Sequence, residues 1–123
     1  MSGRHKILYV DDEEINLLLF EMNFKEKYEV LIASDGFEGL ELLKNHTDTE
    51  VIVSDMKMPG MNGVEFIRDA KRLHPEKKFF ILTGFRDHGE IKGALEKGWI
   101  VRCFRKPMDM GRMHQIIAEA LES

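Results

Sequence analysis

Five short apolar runs, Lys6–Val10, Tyr28–Ala33, Glu50–Ser54, Lys78–Leu82 and Ile100–Arg105, recur along the chain with amphipathic stretches between them. Runs of this length suit strands buried on both faces, and a helical stretch between two of them is what a crossover between parallel strands requires. The alternation predicts repeated βαβ units and one parallel sheet. The first intervening stretch sets Ile15, Leu18, Leu19 and Met22 on one helical face, and the second sets Phe37, Leu40 and Leu43 beside Glu38, Glu41 and Lys44. Both faces are expected to cover the sheet. Asp35-x-x-Glu38, Asn62-x-x-Glu65 and Asp87-x-x-Glu90 read as helix starts, each with an Asx oxygen ahead of a Glu that reaches back to the cap amide. A fourth helix, about Asp87 to Lys97, contains Gly89 and Gly93. Each interior glycine costs roughly 1 kcal/mol relative to alanine, which makes this the expected least stable helix and a candidate moving part. A last helix, about Asp109 to Leu121, carries Met113, Ile116, Ile117 and Ala120 as expected core positions.

The 123 residues amount to one domain, 1–123, with no output domain expected in the chain. Eighteen basic against twenty-two acidic residues give a net charge of −4, which argues against direct nucleic-acid binding. The polar start, Met1 to Lys6, does not resemble a secretory signal, and no apolar run approaches the ~20 residues that span a bilayer. Neither membrane insertion nor secretion is expected, and the cytoplasm is the expected compartment. Cys103 is the single cysteine, so no intrachain disulfide or zinc quartet can form. His5, His46, His74, His88 and His114 are scattered without metal-ligand spacing and read as surface residues.

In an open parallel sheet ligands bind beyond the carboxyl ends of the strands. Four of the five runs end in chemically pointed residues: Asp11-Asp12 after the first, Asp55 after the third, Thr83 after the fourth and Lys106-Pro107 after the fifth. Ser34-Asp35, after the second, serves better as a turn and cap. Each pair alone suits an ordinary turn, but their joint occurrence does not. Three carboxylates brought together repel one another unless a cation neutralises them, and hard oxygen donors without sulfur or imidazole suit Mg²⁺. A lysine and a hydroxyl add a positive charge and a donor for anionic oxygens, and a carboxylate is a competent nucleophile toward phosphorus. The sum is a site for moving a phosphoryl group onto an aspartate.

Val10-Asp11-Asp12-Glu13, Asp55-x-x-Met58-Pro59-x-x-x-Gly63, Leu82-Thr83-Gly84 and Lys106-Pro107 together resemble the response-regulator receiver domain of two-component signalling, over Lys6 to Leu121. The resemblance implies a (βα)5 doubly wound, flavodoxin-like fold with strand order 2-1-3-4-5. It implies Asp55 as phosphoacceptor, Asp12 as a direct Mg²⁺ ligand, Asp11 as a ligand largely through water, and the Lys57 carbonyl as a further ligand. Thr83 would hydrogen-bond a phosphoryl oxygen, Lys106 would pair with the phosphoryl group, and Lys106-Pro107 would be cis. The implied partners are a sensor histidine kinase or histidine phosphotransfer protein, a downstream output domain or protein controlled by a switch of the face formed by the fourth helix, fifth strand and last helix, and a weak homodimer. The chain would catalyse only its own phosphorylation and dephosphorylation, so it is not expected to be an enzyme. Lys57 and Phe85, two residues beyond Asp55 and Thr83, are expected to slow loss of the phosphoryl group by shielding it.

One position departs from the family pattern: Cys103 stands where an aromatic usually precedes the lysine by three. Phe104 follows it, and strand alternation aims it at the opposite face unless a bulge intervenes. The alternative reading is a docking module that works without phosphorylation. A haloacid-dehalogenase-type phosphatase needs a second carboxylate where Lys57 stands, and a flavodoxin needs a phosphate loop where the chain has Asp11-Asp12-Glu13-Glu14.

Overall fold

The computed structural model describes residues 4–84 and 88–122. Its elements alternate without exception: β1 (Lys6–Val10), α1 (Glu14–Phe24), β2 (Glu29–Ala33), α2 (Gly36–Asn45), β3 (Thr49–Asp55), α3 (Gly63–Leu73), β4 (Lys78–Thr83), α4 (His88–Glu96), β5 (Arg102–Arg105) and α5 (Met110–Glu122). The strands form one five-stranded sheet in the order β2-β1-β3-β4-β5, and every pairing is parallel. The expected α/β class and strand order are therefore present. Asp87 of the third cap motif and Phe85 lie outside the described residues.

Alternation along the strands divides the core into two layers. Leu8, Val10, Ile52, Phe79 and Ile81 face Leu43 of α2, Val64, Phe66 and Ile67 of α3, and Ile91 and Ala94 of α4. Ile7, Tyr9, Val51, Val53, Phe80, Leu82 and Phe104 face Leu17, Phe20 and Phe24 of α1 and Met113, Ile116 and Ile117 of α5. Because both sheet faces are covered, the central strands read in sequence as near-continuous apolar runs. Helix α3 starts with a full capping box: Asn62 Oδ1 accepts from the Glu65 amide at 2.9 Å, and Glu65 Oε1 accepts from the Asn62 amide at 2.9 Å. In α2 the Asp35 cap is present, but Glu38 reaches one residue further back, to the Ser34 amide at 2.7 Å and the Ser34 hydroxyl. The extended Asp35 backbone places the Ser34 groups nearer that carboxylate.

One expected helix face is turned outward, and in a second, where Leu40 and Leu43 pack on the core as expected, Phe37 alone is exposed. Ile15, Leu18, Leu19 and Met22 are 62, 46, 41 and 64% exposed, and α1 instead buries Leu17, Phe20 and Phe24. Glu14 and Glu21 on one side and Asn16 and Asn23 on the other separate two apolar stripes on this helix; the one bearing the aromatic rings goes in, because it removes more apolar surface from water. Phe20 stacks on Tyr9 of β1 with ring centroids 4.3 Å apart, and Phe24 stacks on Phe20 at 4.3 Å and on the His114 ring of α5 at 3.9 Å. In α2, Phe37 is largely exposed while Gly36, Gly39 and Leu43 are buried. A Cβ on Gly39 would stand 2.9 Å from the Phe66 ring, so the missing side chain is what lets α2 close against α3. The register of β4 with β5 runs unbroken from Phe80↔Arg102 to Thr83↔Arg105, with no bulge, so Cys103 packs against the α3–α4 layer and Phe104 is buried in the α1–α5 layer.

Emptying the Phe20 site should cost about 3–5 kcal/mol, the usual range for a buried Phe→Ala, whereas Met22→Ala should stay within about 0.5 kcal/mol. Urea unfolding of Phe20→Ala and Met22→Ala measures both, and the reverse order would place the wrong stripe in the core.

Candidate functional site

The parallel register brings the polar strand ends level. Val10 pairs with Ser54, so Asp11 lies one step beyond, level with Asp55; Asp55 pairs with Leu82, immediately before Thr83; and Thr83 pairs with Arg105, immediately before Lys106. Asp55 and Thr83 are the last residues of their strands rather than the first beyond them. Backbone bonds from Asp11 to the Ala33 carbonyl, from Met56 to that of Leu82 and from Lys106 to that of Thr83, at 2.9–3.0 Å, extend the ladder into the loops. The end of β2 stays on the far edge, where Ser34 and Asp35 serve the start of α2.

One carboxylate oxygen each from Asp11, Asp12 and Asp55 lies within 4.8 Å of the others, with Asp11 and Asp55 buried and Asp12 exposed. Asp55 Oδ1 receives the Lys106 Nζ at 3.0 Å and the Met56 amide at 3.0 Å. Among the described residues none donates to Asp55 Oδ2, and no buried side-chain nitrogen or oxygen is left without a partner, so this second oxygen opens to solvent. Thr83 is buried at the end of β4, and Lys57 lies in the loop after β3 with its side chain exposed. The Lys106-Pro107 peptide is cis. Gly63 begins α3 directly beneath this corner: its amide donates to the Met56 carbonyl at 2.8 Å, and a Cβ there would stand 2.4 Å from the Asp55 carbonyl oxygen.

Two contributors escape motif reading. The buried Tyr9 hydroxyl donates to Asp11 Oδ2 at 2.5 Å, and Asn16 Nδ2 donates to the same oxygen at 3.1 Å, while Asp11 Oδ1 accepts from the Glu13 amide at 2.9 Å. Three donors thus fix the orientation of a fully buried carboxylate and partly neutralise it. The available signals were a tyrosine two residues before Asp11 in an otherwise aliphatic strand, hence on the same face, and an asparagine in an apolar helix. Burial pushes the Tyr9 phenol well above its ordinary range, and the Asp11 contact adds to the effect.

Burial, reinforced by the Asp11 charge, pushes the Asp55 carboxyl up to about 6 against the opposing pull of Lys106 and the Met56 amide. Burial works against the Lys106 ammonium, but Asp55, Asp11 and Glu13 together hold its pKa above the ordinary value. The donor set is all oxygen and carries more negative charge than one ammonium balances, which suits a small hard cation. Below about pH 4 Asp55 is protonated whether the chain is folded or not. Stability present there is lost as pH rises through the folded value of about 6, because the folded chain must then ionise a buried group. In metal-free buffer Asp55→Asn should stabilise the chain by on the order of 1–3 kcal/mol at pH 7 and by close to nothing at pH 4. Urea unfolding at the two pH values measures the difference, and a variant that gains nothing at pH 7 would contradict the raised carboxyl.

The geometry has counterparts among known proteins. Residues 7–118 match the family model of the response regulator receiver domain. The chain is 30% identical over 117 residues to sporulation initiation phosphotransferase F of Bacillus subtilis, an alignment covering 94% of this chain and 93% of that protein. It is also 30% identical to the transcriptional regulatory protein GlrR of Escherichia coli, covering 96% of this chain but 26% of that longer protein. A CheY-like response regulator receiver domain protein from Methanospirillum hungatei superposes with a TM-score of 0.91 at 29% identity, over 98% of this chain and 95% of that one. Fold, strand-end geometry and alignment over almost the full length agree, and the chain belongs to the response regulator receiver domain family.

Proposed function

We propose that the chain accepts a phosphoryl group on Asp55 from a phosphohistidine of a sensor kinase or histidine phosphotransfer protein, or from a small acyl phosphate. The observation that carries this is the division of labour at Asp55: Oδ1 is held by Lys106 and the Met56 amide, while Oδ2 is open. In the transfer, Asp55 Oδ2 attacks phosphorus, the P–N or P–O bond to the donor breaks, and its electron pair leaves with the imidazole nitrogen or the carboxylate oxygen. Attack needs an ionised carboxylate, and a value of about 6 leaves Asp55 largely ionised at neutral pH. Lys106 then neutralises a phosphoryl oxygen and Thr83 donates its hydroxyl to another. Mg²⁺, held by Asp12 and Asp55, by Asp11 through water and by the Lys57 carbonyl, would supply the remaining positive charge. The chain acts on no other substrate, and the cytoplasm, where such donors are found, is its proposed compartment. Among the described residues no helix is long and apolar enough to cross a membrane.

A protein donor must bring its histidine to Asp55, and the outward stripe of α1 lies beside that approach. Leu19 shares a groove of about 510 Å³ with Glu13, Asn16, Lys106, Pro107 and Met108, and Ile15, Leu18 and Met22 continue the apolar surface along the helix. Docking there leaves the β5 side free for an output partner.

Intact mass after incubation with acetyl phosphate and Mg²⁺ should show one added phosphoryl group on the wild-type chain, none on Asp55→Asn, and weakened Mg²⁺ dependence in Asp12→Ala. No mass gain on the wild-type chain would favour a docking module that works without phosphorylation. Leu18→Glu and Met22→Glu should leave acetyl-phosphate labelling unchanged while slowing transfer from any phosphorylated kinase that labels the wild-type chain. Equal slowing with both donors would remove the α1 docking face.

A further inference from the structure

The arginines of the described residues fall into two groups. Arg4 donates to the carbonyls of Lys25 and Tyr28, and Arg68 and Arg72 both reach Asp69. Arg102, Arg105 and Arg112 are exposed, and none of their guanidinium groups has a hydrogen bond or ion pair with any described residue. These three line one groove of about 420 Å³, which Cys103, Phe104 and Lys106 also border. The carboxylate of Asp109, also in the groove, is engaged as the cap of α5, accepting from the Arg112 amide at 3.1 Å. A chain of net charge −4 thus gathers around one groove three guanidinium groups that have no partner among the described residues.

We infer that this groove docks an extended acidic segment of a protein partner, its carboxylates paired with Arg102, Arg105 and Arg112. The inference rests on the receiver reading, since the groove shares Lys106 with the phosphoacceptor corner. Charge complementarity selects the occupant: a guanidinium presents a planar fork that a carboxylate meets with two hydrogen bonds. The backbone favours an extended one, because β5 is an edge strand and one side of its main chain has no neighbouring strand. Arg102 and Arg105 lie about 10 Å apart along the strand, a span matched by acidic side chains three residues apart on an extended peptide. A nucleic acid has no peptide backbone to pair with a strand edge, so the edge favours a polypeptide occupant.

The probe is a fluorescein-labelled ten-residue peptide with Asp at every third position and Thr between, followed by anisotropy with the full chain. Binding should weaken with added NaCl, and Arg102→Gln, Arg105→Gln and Arg112→Gln should each raise Kd about three- to tenfold, the triple variant more than any single one. The peptide should also slow reaction of Cys103 with a thiol reagent, which places it in the groove. A peptide with Lys at the same positions that binds as well, or Gln variants within twofold of the wild-type Kd, would overturn the proposal. A ten-nucleotide single strand that binds more tightly would assign the groove to nucleic acid, and self-association lost in the triple variant would assign it to a second copy of this chain. Circular dichroism and acetyl-phosphate labelling of the same preparations separate the two readings. Normal labelling without peptide binding overturns this inference alone, whereas absent labelling in the wild-type chain overturns the phosphoacceptor chemistry.

Discussion

The ion pair between Lys106 and Asp55 is the contact on which this site turns. Three carboxylates converge at the carboxyl edge of the sheet, two of them buried, and one ammonium 3.0 Å from Asp55 is the cation set among them. A buried charge left without a partner costs several kcal/mol, so the corner is stable only because each acid is separately accommodated. Asp11 is held by three donors, Asp12 faces solvent, and Asp55 is held on one oxygen by Lys106 and an amide. The accommodation is incomplete, as the raised pKa of Asp55 records. A site in which negative charge exceeds the available positive charge suits a small hard cation, which is what the proposed phosphoryl transfer would use.

The fold supplies this corner through register. Parallel pairing sets the ends of β1, β3, β4 and β5 side by side, and the crossover helices leave that edge open. Gly63 lets α3 start directly below Asp55, and the capping box of Asn62 and Glu65 holds that start. On the opposite face the stacked rings of Tyr9, Phe20, Phe24 and His114 run from the Asp11 carboxylate through α1 to α5. The orientation of an acidic site residue is thereby tied to the packing of two helices.

Much of this was legible in the sequence because four of the five apolar runs end in polar residues that singly suit a turn but together point to chemistry. Asp11, Asp55, Thr83 and Lys106 were found that way, and their convergence follows from the strand order. The α1 face was not legible: Ile15-Leu18-Leu19-Met22 and Leu17-Phe20-Phe24 satisfy helical spacing equally well, and only the ring of Tyr9 across the interface selects between them. Tyr9 itself hid among core residues, since a strand tyrosine announces nothing until its hydroxyl is seen on Asp11. Cys103 and Phe104 behaved as strand alternation requires, on opposite faces with no bulge. The small Cys103 side chain thus stands in the α3–α4 layer at the position where the family pattern has an aromatic.

Bonding of phosphorus to Asp55, in preference to the neighbouring Asp11 and Asp12, is the central proposed event. Borohydride reduction of the acetyl-phosphate-treated chain converts an aspartyl phosphate to homoserine, and peptide mass mapping locates it. Homoserine at position 55 alone is the result the geometry requires. Homoserine at position 11 or 12, or a labelled chain with none at 55, would contradict it.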